Sequence, residues 1–299
     1  MNTLATIAAE AMTGSDSRSG CVAHAKLSHI KRVALLCAIT AIAAAADLGP
    51  LELGYRQMYN QQFDKAHQTF HSWQASHPED PMGPASDAAA YLFAELDRLD
   101  VLKIEFFSND ESFLAMRRPK ASVDAKRRFE EALSASAVLA DRRLAAAPAD
   151  DNALFASVLR IGLRSDYDGL IERHYFASLA DMKEGRSLAE RLLMQNPANY
   201  DVYLAIGVEN YILSLKPAPV RWLLHMGGSQ TDKAVGLQNL AMTAEKGHYL
   251  LPFARLLLAV AALRDGDVGA ARERLAWLAV QFPDNRLYRG ELAKLPAGR

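Results

Sequence analysis

Cysteine is scarce in this chain, net charge is almost absent, and no apolar run is long enough to cross a membrane. The 299 residues include two cysteines, Cys21 and Cys37. Residues 47–299 therefore carry no disulfide and no thiol chemistry. The 34 Lys and Arg side chains face 35 Asp and Glu, for a net charge of −1. Binding nucleic acid as a main role needs clustered cations, and this balance speaks against it. The basic groups Arg117-Arg118-Pro119-Lys120 and Lys126-Arg127-Arg128 are local. The second sits beside Glu130-Glu131 and reads as a solvated helix face. No segment alternates apolar and polar residues for long enough to predict a strand. There is no P-loop, no Gly-x-Ser-x-Gly, no His-Glu-x-x-His and no paired-cysteine zinc motif. The expectation is a protein that is not an enzyme, with no catalytic residue, no cofactor and no metal.

What is present is Leu and Ala. Half of the residues are apolar and few are β-branched in runs, which favours helix. Near the N-terminus, Lys31-Arg32 precede an apolar run over 33–46 that ends in Ala44-Ala45-Ala46. A cationic start, a short apolar stretch and small residues at its end make a secretory signal. The run has 14 residues, fewer than the roughly 20 that span a bilayer. Residues 1–46 are thus read as an N-terminal extension and signal peptide, cut after Ala46, with the chain exported to a periplasm or secreted. The alternative is an N-terminal membrane anchor. Removing the four basic and two acidic residues of 1–46 from the totals of 34 and 35 leaves a charge of about −3. The apolar stretch 250–263 contains Arg255 and Pro252, so it reads as a buried helix, and no membrane span is expected in the mature chain.

From Asp47 a spacing appears. Counting Asp47 as place one, Gly54 stands at place eight, Ala66 at twenty, Phe70 at twenty-four and Pro78 at thirty-two. Gly54 and Ala66 are small where two antiparallel helices must cross closely. Phe70 and Trp73 continue the face of Ala66 at i+4 and i+7. Asn60-Gln61-Gln62 is the polar turn between the helices, and Pro78 stops the second one. The frame recurs from Pro252, with Ala259, Ala271, Leu275, Leu278 and Pro283 at the matching places and Asp265-Gly266-Asp267 as the turn. Gly207 marks a further close crossing within 203–211. Pro148 and Pro197 mark two more stops.

These residues resemble the tetratricopeptide repeat family over 47–80 and 252–285, and in part over 121–213. A fainter resemblance joins Gly207, Asn210-Tyr211, Pro217, Trp222-Leu223, Gly227-Gly228 and Glu245-Lys246-Gly247 to bacterial proteins related to the tetratricopeptide-repeat protein 39 family. The resemblance implies an all-α fold, a right-handed superhelical solenoid of antiparallel helix pairs over 47–299. It also implies a concave groove for a protein or peptide partner. In that groove it puts Tyr55, Met58, Tyr59, Arg160, Arg164, Tyr211, Phe253 and Arg264. The expected function is an exported interaction scaffold.

Two stretches break the repeat, 99–120 and 214–230. Both are aromatic and are expected to pack on the solenoid. The alternative function follows from them: a carrier of a small apolar molecule or lipid, in a pocket closed by Phe106, Phe107, Phe113 and Trp222. Asp64, His67 and His71 share a helix face and read as polar surface, not as a metal site. Asp166-Tyr167-Asp168-Gly169 reads as a helix stop and a cap.

Overall fold

The computed structural model describes residues 49–103 and 120–296. Among them are twelve α-helices and one π-helical segment, and no strand. Residues 1–46, with Cys21, Cys37 and the signal-like run, lie outside the described residues, as do Phe106, Phe107 and Phe113. In chain order the helices are α1 (Pro50–Tyr59), α2 (Phe63–Ser76), α3 (Met82–Arg98), α4 (Val123–Ala146), α5 (Asp151–Asp166) and α6 (Tyr175–Gln195). They continue as α7 (Tyr203–Ser214), α8 (Ala218–Met226), α9 (Lys233–Lys246), α10 (Leu251–Arg264), α11 (Val268–Gln281) and α12 (Arg286–Lys294). The π segment, Tyr167–Glu172, joins α5 to α6.

One local device recurs four times. It reads His77-Pro78-Glu79-Asp80, Ala147-Pro148-Ala149-Asp150, Asn196-Pro197-Ala198-Asn199 and Phe282-Pro283-Asp284-Asn285. The residue before each proline leaves the helix with φ between −127° and −139°, because the proline ring excludes the helical region there. The proline then occupies the second place of a tight turn. That turn is closed by the N–H of residue 80, 150, 199 or 285 on the carbonyl of residue 77, 147, 196 or 282, at 3.0–3.2 Å. In three of the four, the closing Asp or Asn also starts the next helix. Asp80 accepts from the Met82 N–H, Asp150 from Ala153 and Asn285 from Leu287, at 2.9–3.0 Å. Stop and start are therefore one four-residue unit.

The close crossings fall where the small residues predict them. A Cβ on Gly54 would lie 2.2 Å from Cε1 of Phe70, so only glycine lets α1 rest on α2. Ala66 and Phe70 are fully buried, as are Ala259, Ala271, Leu275 and Leu278. Leu53, beside Gly54, is exposed. Between α7 and α9 the approach is reciprocal. A Cβ on Gly207 would lie 2.9 Å from the Leu240 nitrogen, and one on Gly236 would lie 2.6 Å from the Tyr211 nitrogen. Gly266, at φ 77°, makes the turn between α10 and α11.

Each helix packs on its neighbour in the chain, and α1, α3 and α5 also touch in succession. The helix α8 stands apart from this order, and none of its residues is buried. The two ends of the unit then meet. Asn285 Nδ2 donates to the Tyr59 carbonyl at 2.7 Å, the Arg286 N–H to Gln61 Oε1 at 2.8 Å and the Asp284 N–H to Asn60 Oδ1 at 3.3 Å. Tyr59 packs on Phe282, Phe93 on Phe253 and Tyr55 on Tyr249, with ring centroids 4.8–5.6 Å apart. The turn between the first two helices is thus hydrogen-bonded to the turn before the last helix.

Two local readings are corrected here. The stretch 214–230 contains the helix α8, none of whose residues is buried; Val220, Trp222, Leu223 and Met226 are exposed and Leu224 is half-buried. The sequence Asp166-Tyr167-Asp168-Gly169 is not a stop, because the chain runs on as a π-helix to Glu172 and turns only at Arg173, at φ 57°.

Candidate functional site

Beside the meeting of the two ends lies a partly open cavity of about 80 Å³, several times what one water molecule needs. Tyr55, Met58 and Tyr59 of α1 line it, with Phe93 of α3, Leu204 and Val208 of α7 and Phe253 of α10. The helix α5 contributes Phe155, Leu159, Gly162, Leu163 and Asp166, a stripe at helical spacing. Gly162 faces open space, since a Cβ there would meet nothing within 4 Å.

The polar groups around this cavity are nearly all satisfied. The Tyr55 hydroxyl accepts from Ser86 Oγ at 3.2 Å, and burial pushes its pKa well above the phenolic range. Asp181 holds Arg164, whose Nε donates at 2.8 Å. Asp201 accepts the backbone N–H groups of His248, Tyr249 and Leu250 at 2.8–3.2 Å. Burial raises its pKa, and those three donors oppose the rise.

Among the described residues the buried Tyr59 hydroxyl makes no hydrogen bond, and the one carboxyl of the cavity wall without a partner is that of Asp166. No hydrogen bond or ion pair reaches its carboxylate from the described residues, and burial alone pushes its pKa up to about 7. It keeps some accessible surface, yet the mass of the protein surrounds it; the surface it keeps is turned to the cavity. An ionised carboxylate in apolar surroundings without a donor is costly, so this group invites a proton or a donor from a ligand.

The residues expected in an open groove have other places. Tyr55, Met58 and Tyr59 are buried and line the cavity together with Phe253. Tyr211 is buried against Gly236, in a second apolar cluster with Leu240 and Leu258. Arg160, Arg164 and Arg264 are partly buried. Burial and the neighbouring Arg164 lower the pKa of Arg160, while the hydrogen bond to Asp181 raises that of Arg164. These eight side chains do not form one exposed surface. Trp222 is exposed on α8 and lines no pocket with the cavity residues.

Of the two histidines of α2, His71 is exposed as predicted for an outer polar face, whereas His67 is half-buried. His67 Nδ1 lies 2.6 Å and His71 Nε2 3.0 Å from the two oxygens of Asp87, a buried residue of α3. They clasp α2 to α3, whereas Asp64 stays exposed. Asp168, Glu172 and His174 bring three ligand atoms within 4.8 Å of one another at the end of the π segment. The Lys126 ammonium sits 2.6 Å from Glu172 and already supplies positive charge there.

Asp166 had a signal in the sequence: it is the one acid on the α5 stripe of Phe155, Leu159 and Leu163. No family model matches the chain, and neither does any curated protein or solved structure.

Proposed function

We propose that this chain is a binding protein for a small apolar molecule that carries one amine or hydroxyl group. The ligand occupies the central cavity with its apolar body among Phe93, Phe155, Leu159 and Phe253, and its donor meets Asp166. The observation that carries this reading is the unpartnered Asp166 carboxyl, with a pKa of about 7, on a mostly apolar wall whose other carboxyls, Asp181 and Asp201, are already bonded within the protein. An ammonium or hydroxyl there satisfies the carboxyl and offsets the cost of its burial. The reading stands ahead of an open peptide groove because Tyr55, Met58, Tyr59 and Tyr211 are buried.

The same proposal extends to the fold and the compartment. The Gly54–Phe70 crossing and the four proline turns support helix pairs of the tetratricopeptide type, wound as a right-handed solenoid whose concave side has become the cavity wall. Lys31-Arg32 and the apolar run over 33–46 support export with a cut after Ala46. The role is binding, not catalysis.

Benzylamine and ethylbenzene, similar in size and different in the amine, provide the test. At millimolar concentration benzylamine raises the melting temperature more than ethylbenzene does. Gly162→Leu fills the open space before α5 and removes both shifts, and Asp166→Asn removes the preference for the amine. Failure of both compounds to shift the wild type, or shifts that survive Gly162→Leu, would contradict the proposal.

A further inference from the structure

The helix α8 displays a hydrophobic face that nothing in the described protein covers. Pro219, Trp222, Leu223 and Met226 stand at i, i+3, i+4 and i+7, and the last three are 66%, 65% and 66% exposed. This face is held in position by its ends. Arg221 Nη1 donates to the Lys216 carbonyl at 3.0 Å, just after α7. At the other end Arg186 Nη2 donates to the Gly228 carbonyl at 2.9 Å, and Lys183 Nζ donates to that of Gly227. The helix is therefore fixed by polar contacts to α6 and to the end of α7, while Trp222, Leu223 and Met226 point to solvent. Large exposed apolar groups gathered on one face mark an interaction site.

The surrounding charge selects the occupant. No Asp or Glu occurs from residue 210 to residue 231. Lys216 and His225 are exposed at the helix, and the cations Arg221, Lys183 and Arg186 hold its two ends. A second copy of this chain is a poor fit. Arg186 is already paired with Glu190 and Glu209, but a two-fold interface would bring Lys216, Arg221 and Lys183 together with no acid of residues 210–231 to offset them. An anionic lipid surface matches both features: Trp, Leu and Met enter the headgroup layer and the cations meet phosphate.

We propose that α8 docks the protein onto anionic membrane surfaces through Trp222, Leu223 and Met226, with Lys216 and Arg221 over the headgroups. This is a peripheral contact, independent of any span and of the cavity.

Tryptophan quenching by brominated phosphatidylcholine tests it on the full-length chain. The three tryptophans are Trp73, Trp222 and Trp277, so an apolar N-terminal segment adds no signal of its own. Vesicles of phosphatidylglycerol and brominated phosphatidylcholine are expected to quench the wild type, and vesicles lacking the anionic lipid are not. Trp222→Phe loses the quenched component. Leu223→Ser with Met226→Ser weakens vesicle binding about tenfold or more. Lys216→Gln, which removes one charge, weakens it about fivefold. Absence of quenching on anionic vesicles, or quenching that persists in Trp222→Phe, would overturn the proposal. A dimer abolished by the double serine variant, with no vesicle binding, would give the face to a second copy and overturn it equally.

Discussion

At the scale of single residues, Asp166 carries the account. Its pKa of about 7 compares with roughly 3.9 for an unfolded aspartate. Between about pH 4 and pH 7 the folded state therefore holds a proton that the unfolded chain has released. Stability from this group is complete below pH 4, falls as pH rises through that window, and is gone above pH 7. Asp166→Asn removes the penalty of the ionised form. The variant should gain stability over the wild type at pH 8, by at most about 4 kcal/mol, and the gain should vanish near pH 4. Urea unfolding at the two pH values checks this, and an equal gain at both would contradict the assignment. The sequence reads this residue as part of a helix stop, although its place on the stripe of Phe155, Leu159 and Leu163 is visible there. What periodicity does not reveal is that its carboxyl lacks a partner, because that depends on helices far away in the chain. Asp87 is a similar case: His67 and His71 were visible on one helix, but the carboxyl that receives them is on the next.

At the scale of elements, the helix pairs are set by small residues and proline turns. Gly54 and Ala66 allow α1 and α2 to touch, and Ala66 has no exposed surface. Ala66→Leu should overpack this crossing by about 1–3 kcal/mol. That corresponds to roughly 2–4 °C in melting temperature per kcal/mol for a unit of this size. An unchanged melting temperature would show that the two helices have room to part. These elements were legible because their causes are local: a small residue at a crossing, a proline after a helix, an acid at the next start. The helix α8 was not. Pro217 and Pro219 look like loop signals, yet they stand at the helix entry, where a missing N–H costs nothing. The π segment was missed for another reason: no local rule distinguishes its five-residue hydrogen-bond step from a helix end.

At the scale of the whole described unit, the decisive event is the meeting of its ends. Asn285 and Arg286, near the C-terminal end of the unit, bond to Tyr59 and Gln61 in the first helix pair. That contact spans more than two hundred residues of chain, and no periodic pattern encodes it. Beside it, four of the side chains expected in an open groove, Tyr55, Met58, Tyr59 and Phe253, form part of a cavity wall, which explains why the helix pairs could be read from the sequence and the site could not. Native mass spectrometry of the full-length protein, purified without added ligand from the cells that make it, tests the central claim most directly. The account predicts a fraction of molecules carrying one small extra mass, and the loss of that mass in Gly162→Leu. A wild-type spectrum with the bare protein mass alone, or an extra mass that Gly162→Leu leaves in place, would contradict it.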